Sequence, residues 1–294
     1  MRRSLILVVA LATAALGLTL PAAEASPRAL TYVALGDSYT SGPLVLPHDT
    51  ANVPQDCGQS SRNYPHLVAL ALRPTVFRDV SCGSATIDDF TEPQTGLPLG
   101  NTNAPQFDAL DPSVDVVTVG IGGNDVGFVG LAMDCIRVDP TDTPCSAGKD
   151  PNAHDDFSDK LDQVHVELVT ALGRIHTLAP HAKVLVVSYP TALPDDGVAC
   201  WPYVPIEQAD MTYLVAKFKE MNAMLAAAAA DGDATYVDIY TPSIGHDACK
   251  PPVLAWVNGM VLVPPSFPAH PNDLSFLNSA PVVTNAIRAA LAAG

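Results

Sequence analysis

The chain has 294 residues; 48% are apolar and 16% charged, a core-forming content that a disordered chain lacks. Its 15 Lys and Arg stand against 31 Asp and Glu, a net charge of −16. That balance argues against nucleic acid and against anionic membrane surfaces, because the cations that would displace phosphate counterions are missing.

Arg2 and Arg3 open the chain, residues 5–20 are an uncharged apolar run, and Pro21 ends it. Ala23-Glu24-Ala25 then places small residues at the −3 and −1 positions of a cleavage site. These are the parts of a secretory signal peptide over residues 1–25, and the run is short for a span of about 20 residues. The expected mature chain, residues 26–294, carries −17 and contains no later segment long and apolar enough to cross a bilayer. It is expected to be secreted, soluble and monomeric, as one domain.

Short apolar runs of the kind that suits strands buried on both faces predict strands over 32–35, 114–119, 183–187 and 235–239, with a less apolar one over 75–80. Helical spacing falls between them, over 64–72, from Phe157 to Ile175, from Met211 to Leu225, and over 282–291. Strand alternating with helix predicts an α/β domain on a parallel sheet, whose ligands bind beyond the carboxyl ends of the strands. Asn258-Gly259 lies between apolar runs and predicts a β-hairpin over 254–263. That hairpin either packs on the core, or sets Trp256 and the arm containing Val261 along an acyl-chain groove.

Six cysteines remain after export: Cys57, Cys82, Cys135, Cys145, Cys200 and Cys249. An even count in an exported chain reads as three disulfides, with fifteen possible pairings. Pairing consecutive cysteines keeps the closed loops local and is preferred. No close Cys-x-x-Cys pair suggests zinc. His154-Asp155-Asp156 and Asp195-Asp196 read as solvated acidic loops, so no metal and no organic cofactor is expected.

Four blocks carry chemistry. Gly36-Asp37-Ser38 follows the first strand and puts a hydroxyl where ligands bind, with Gly36 allowing a tight turn. Ser81-Cys82-Gly83-Ser84 follows the second and offers a backbone N–H at Gly83. Gly120-Ile121-Gly122-Gly123-Asn124-Asp125 follows the third. Asn124 brings a neutral amide suited to a developing oxyanion. His270-Pro271-Asn272 comes late and supplies a neutral imidazole, the usual general base for a serine.

Together, in this order and spacing, the blocks resemble the SGNH hydrolases, the branch known as GDSL lipases and esterases. The resemblance is closest to secreted actinomycete members with three disulfides. It implies a three-layer α/β/α fold of flavodoxin type with a central parallel sheet of about five strands. It further implies a carboxylic-ester hydrolase acting on an ester or lipid substrate. Ser38 matches the nucleophile, and His270 the base. Ser38, Gly83 and Asn124 match the oxyanion hole. One departure stands out: many members carry Asp three residues before the His, where this chain has Phe267. A main-chain carbonyl over 266–268 is expected to orient the imidazole instead, with Asp37 and Asp273 as alternatives. Phospholipase A1 and carbohydrate acetyl esterase are alternative activities, and a non-catalytic binding protein on the same scaffold is the alternative of another class.

Overall fold

The computed structural model describes residues 29–137, 139, 141–260 and 266–293. The signal peptide and Val261 therefore lie outside the described residues. Five parallel strands form one sheet: β1 (Thr31–Gly36), β2 (Val76–Asp79), β3 (Val116–Gly120), β4 (Lys183–Val187) and β5 (Thr235–Val237). Their order is β2-β1-β3-β4-β5. The six helices introduced here are α1 (Ser38–Ser41), α2 (Tyr64–Leu72), α3 (Phe128–Asp134), α4 (Asp156–Leu178), α5 (Gln208–Asp231) and α6 (Asp273–Ala292).

Alternation along the strands builds the layers. Val33, Leu35, Val117, Val119, Val184 and Val186 join one core with Leu168 and Leu172 of α4 and Leu214 and Phe218 of α5. Tyr32, Ala34, Val116, Leu185 and Val187 join a second core with Val68 of α2 and Phe276 and Val283 of α6. With both faces covered by helices, the strands need apolar residues at successive positions, hence the continuous runs. Each fully buried aliphatic side chain contributes about 1.5–3 kcal/mol relative to exposure.

One predicted element differs. Helix α6 begins at Asp273 rather than 282, because Asn272 caps it, its side chain accepting from the N–H groups of Leu274 and Ser275 at 3.0 and 3.3 Å. Pro281 sits inside the helix. Of the hairpin predicted over 254–263, residues 261–263 lie outside the described residues, and the backbone of 256–258 pairs with the His270 segment. Asn258 N–H donates to the His270 carbonyl at 2.9 Å and Asn272 N–H to the Trp256 carbonyl at 2.9 Å. Helix α3 has no counterpart among the predicted elements. Disulfides join Cys57–Cys82, Cys135–Cys145 and Cys200–Cys249.

Candidate active site

The chain leaves β1 toward β2 on one side and returns to β3 on the other, so the crevice beyond β1 and β3 is a topological switch point. Gly36 and Gly120 pair in register at the ends of these two strands. A side chain at Gly36 would place its first carbon 2.7 Å from the Gly120 carbonyl oxygen, a separation no Cβ tolerates, so the close approach requires glycine. Asp37 N–H then donates to the Gly120 carbonyl at 3.0 Å, and α1 starts at once with Ser38.

Asp37 caps that short helix, its carboxylate accepting from Tyr39 N–H at 2.8 Å. The other carboxylate oxygen accepts from the Tyr189 hydroxyl, which in turn accepts from Gly123 N–H at 2.8 Å. This chain of bonds locks the loop after β3 to the turn after β1. Burial pushes the Asp37 carboxyl up to about 7, against the pull of the Tyr189 hydrogen bond.

Ser38 Oγ lies 2.9 Å from Nε2 of His270. Nδ1 of the same ring lies 2.8 Å from the Pro268 carbonyl oxygen. A carbonyl only accepts, so Nδ1 carries the hydrogen in the neutral ring and Nε2 is the acceptor facing Ser38. Burial holds the His270 pKa below the ordinary imidazole value, while the Pro268 carbonyl opposes that shift. The two carboxylates considered as orienting groups are engaged elsewhere. Asp37 serves Tyr39 and Tyr189, and Asp273 pairs with Arg62 at 3.2 Å.

Three loops meet at this hydroxyl. Asn124 donates one amide hydrogen to the Ala85 carbonyl at 2.9 Å and keeps the second. Its neighbour Asp125 accepts from Ile87 N–H at 2.8 Å, so the loops after β2 and β3 are tied twice. Gly83 is corrected as a donor: its N–H is spent on the Cys57 carbonyl at 2.9 Å. The next residue, Ser84, sits at φ 62°, and among the described residues its N–H has no acceptor; the same holds for the N–H of Ser38. Sequence spacing locates the loop but does not tell which of two adjacent N–H groups is free. A cleft beside Ser38 is lined by Asn124, Val129, Tyr189, Phe218 and Met221. Trp256 is not among its lining residues; its indole stacks on His246 with ring centroids 4.3 Å apart. Tyr39, Tyr189 and Ser84 escaped the sequence reading. The first two sit beside or far from the motifs with no pattern of their own.

A hydroxyl bonded to a neutral, carbonyl-oriented imidazole at the switch point of a five-stranded parallel sheet defines the class: an α/β hydrolase of SGNH architecture. The chain belongs to the GDSL-like lipase/acylhydrolase family, which it matches over residues 34–274. It is 38% identical over 279 residues to Lipase 2 of Streptomyces coelicolor, covering 91% of this chain and 90% of that protein. It is 31% identical over 259 residues to an esterase of Streptomyces scabiei, covering 78% and 74%. Among solved structures, the extracellular lipase of Streptomyces rimosus superposes with a TM-score of 0.66 at 25% identity, covering 88% of this chain and 100% of that one. The protein is a carboxylic-ester hydrolase of lipase/esterase type.

Proposed function

We propose that Ser38 is the nucleophile and His270 the general base of an acyl-enzyme mechanism, in a secreted, monomeric hydrolase domain spanning residues 26–294. The observation that carries this reading is the 2.9 Å contact of Ser38 Oγ with Nε2 of His270, the ring nitrogen left free by the Pro268 carbonyl. In the first half-reaction the Ser38 proton passes to Nε2 as Oγ bonds the ester carbonyl carbon. The tetrahedral oxyanion takes hydrogen bonds from Ser38 N–H, Ser84 N–H and the spare amide hydrogen of Asn124. The C–O bond to the alcohol then breaks, and the proton on Nε2 goes to the leaving oxygen. Water repeats these steps on the acyl-enzyme and releases the carboxylic acid.

The apolar side chains of Val129, Phe218 and Met221 beside Ser38 support an acyl group as the recognised part of the substrate. No helix among the described residues is long and apolar enough to cross a membrane. Three disulfides support an oxidising destination outside the cytoplasm. The test uses residues 26–294, oxidised, on p-nitrophenyl esters from acetate to palmitate. Ser38→Ala is expected to abolish turnover. Asn124→Ala is expected to lower kcat about a hundredfold, the usual cost of one oxyanion donor. Full activity in a folded Ser38→Ala protein overturns the assignment. Phospholipid or acetylated glycan offered beside these esters distinguishes the phospholipase and carbohydrate-esterase alternatives. A folded protein inert on all of them points to the binding-protein alternative.

A further inference from the structure

We propose that Tyr39 is a positioning residue that aims the base, through the backbone of Ala269, in place of the carboxylate this chain lacks. The inference rests on the reading of Ser38 and His270 as the reacting pair.

The two residues that meet chemically have neighbours that also meet. Ser38 contacts His270, and the adjacent Tyr39 donates its hydroxyl to the carbonyl of the adjacent Ala269 at 2.6 Å. The Tyr39 ring also lies against the imidazole, with centroids 5.1 Å apart. Ala269 is held at φ 55°, in the left-handed region that costs a residue with a Cβ what it does not cost glycine. Rotation about that φ turns the peptide plane joining residues 268 and 269. This plane carries the Pro268 carbonyl, the acceptor 2.8 Å from Nδ1 of His270. The unfavourable φ is therefore the angle that points the carbonyl at the imidazole.

Such a conformation persists only where its surroundings hold it. Both backbone groups of Ala269 are held here. Its N–H is shared between the Asn258 carbonyl at 3.0 Å and the Gly259 carbonyl at 3.4 Å, and its C=O accepts from Tyr39. The N–H bonds belong to the segment that pairs with 270–272. Of these contacts, the one from Tyr39 reaches back to the helix carrying the nucleophile. Tyr39 thus couples the two catalytic segments, and it fixes a neutral acceptor where other hydrolases would place a charge.

The experiment compares wild type, Tyr39→Phe, Ala269→Gly and the double variant on p-nitrophenyl butyrate, with Ser38→Ala as control. Phenylalanine keeps the ring contact and removes the tether. Tyr39→Phe is expected to lower kcat roughly tenfold, the scale of one hydrogen bond, with KM little changed. With the Pro268 contact loosened, the acid limb of kcat is expected to move to lower pH, because that contact raises the His270 pKa. A low-field Nδ1–H proton resonance is expected in wild type and is expected to broaden or vanish in Tyr39→Phe. Ala269→Gly in the Tyr39→Phe background is expected to recover part of kcat, since glycine holds a positive φ without help. Ala269→Val, a β-branched residue that resists positive φ, reproduces the loss from the other side and serves where Tyr39→Phe folds poorly. Wild-type kcat with an unmoved acid limb in Tyr39→Phe overturns the proposal. So does a loss that follows the folded fraction alone and is not recovered by glycine. Retained activity in Ser38→Ala instead overturns the underlying reading and leaves the Nδ1–H resonance as the separate test of the tether.

Discussion

His270 is oriented by a dipole where many hydrolases use a full charge. The Pro268 carbonyl fixes the tautomer, but it stabilises the imidazolium less than a carboxylate would. Burial outweighs the raising effect of that carbonyl and holds the ring's pKa below 6.5. On the proposed reading, His270 stays neutral, and so able to take the Ser38 proton, at pH values where a solvent-exposed histidine is already half protonated. We therefore expect the acid limb of kcat/KM to have its midpoint below pH 6.5. A pH–rate profile on a soluble ester checks this, and a midpoint at or above 6.5 contradicts the burial argument. Ser38, Asn124 and His270, the residues proposed to act, stand out in the sequence because each lies in a short block with its own chemistry. Ser84 could not be separated from Gly83, since the choice depends on which N–H the Cys57 carbonyl consumes. Tyr39 and Tyr189 act through hydroxyls whose partners are 230 and 152 residues away, a relation no local pattern reveals.

Among the elements, the loop after β2 depends most on a covalent tie. Cys57–Cys82 closes across a separation of 25 residues and ends one residue before Gly83. The same Cys57 carries the carbonyl that Gly83 N–H bonds, at 2.9 Å. Chain-entropy arguments give such a closure about 3 kcal/mol of stabilisation. Its removal should do more than lower stability, because Ser84, a proposed oxyanion donor, and Ala85, whose carbonyl holds the Asn124 amide, follow directly. We expect Cys57→Ser/Cys82→Ser to lower kcat at temperatures where circular dichroism shows the protein still folded. Unchanged kcat per folded molecule would leave the disulfide a purely structural role. Strands β1, β3 and β4 were legible because burial on both faces leaves apolar runs; the edge strands β2 and β5 are only partly buried and leave weaker ones. The partner of 256–258 and the start of α6 were not legible. Asn258-Gly259 is a local signal, whereas the flank before it, 256–258, pairs with 270–272. Pro281 looks like a boundary, yet Asn272 caps the helix more than two turns earlier.

For the whole molecule, three terms favour acid conditions together. The −16 charge is self-repelling, and it grows as carboxylates ionise. Asp37 is a buried carboxyl raised from 3.8 to about 7 by burial, so the fold loses stability as pH climbs through that interval. His66 lies 2.8 Å from Asp49 and 3.4 Å from buried Asp79, with the Phe77 ring against it. Although burial opposes it, these carboxylates raise the His66 pKa above 6.5. Its contribution is therefore complete below 6.5 and is lost as pH rises through the raised folded value. The opposite limit comes from Asp49 and Asp155, whose folded values lie below 3.8 despite partial burial, held there by hydrogen bonds and by His66 and Lys217 respectively. Their contribution is lost as pH falls through that lower range. Stability should therefore peak between about pH 4 and 6.5, the window these shifts define. We expect Tm to be higher at pH 5 than at pH 8, and added salt to raise Tm more at pH 8, where repulsion is larger. His66→Gln should flatten the upper part of the curve and also weaken the Asp49 share of its acid edge, leaving the Asp155 share in place. A Tm that is level or rising from pH 5 to 8 would mean that interactions other than these buried and paired groups govern the stability of the fold.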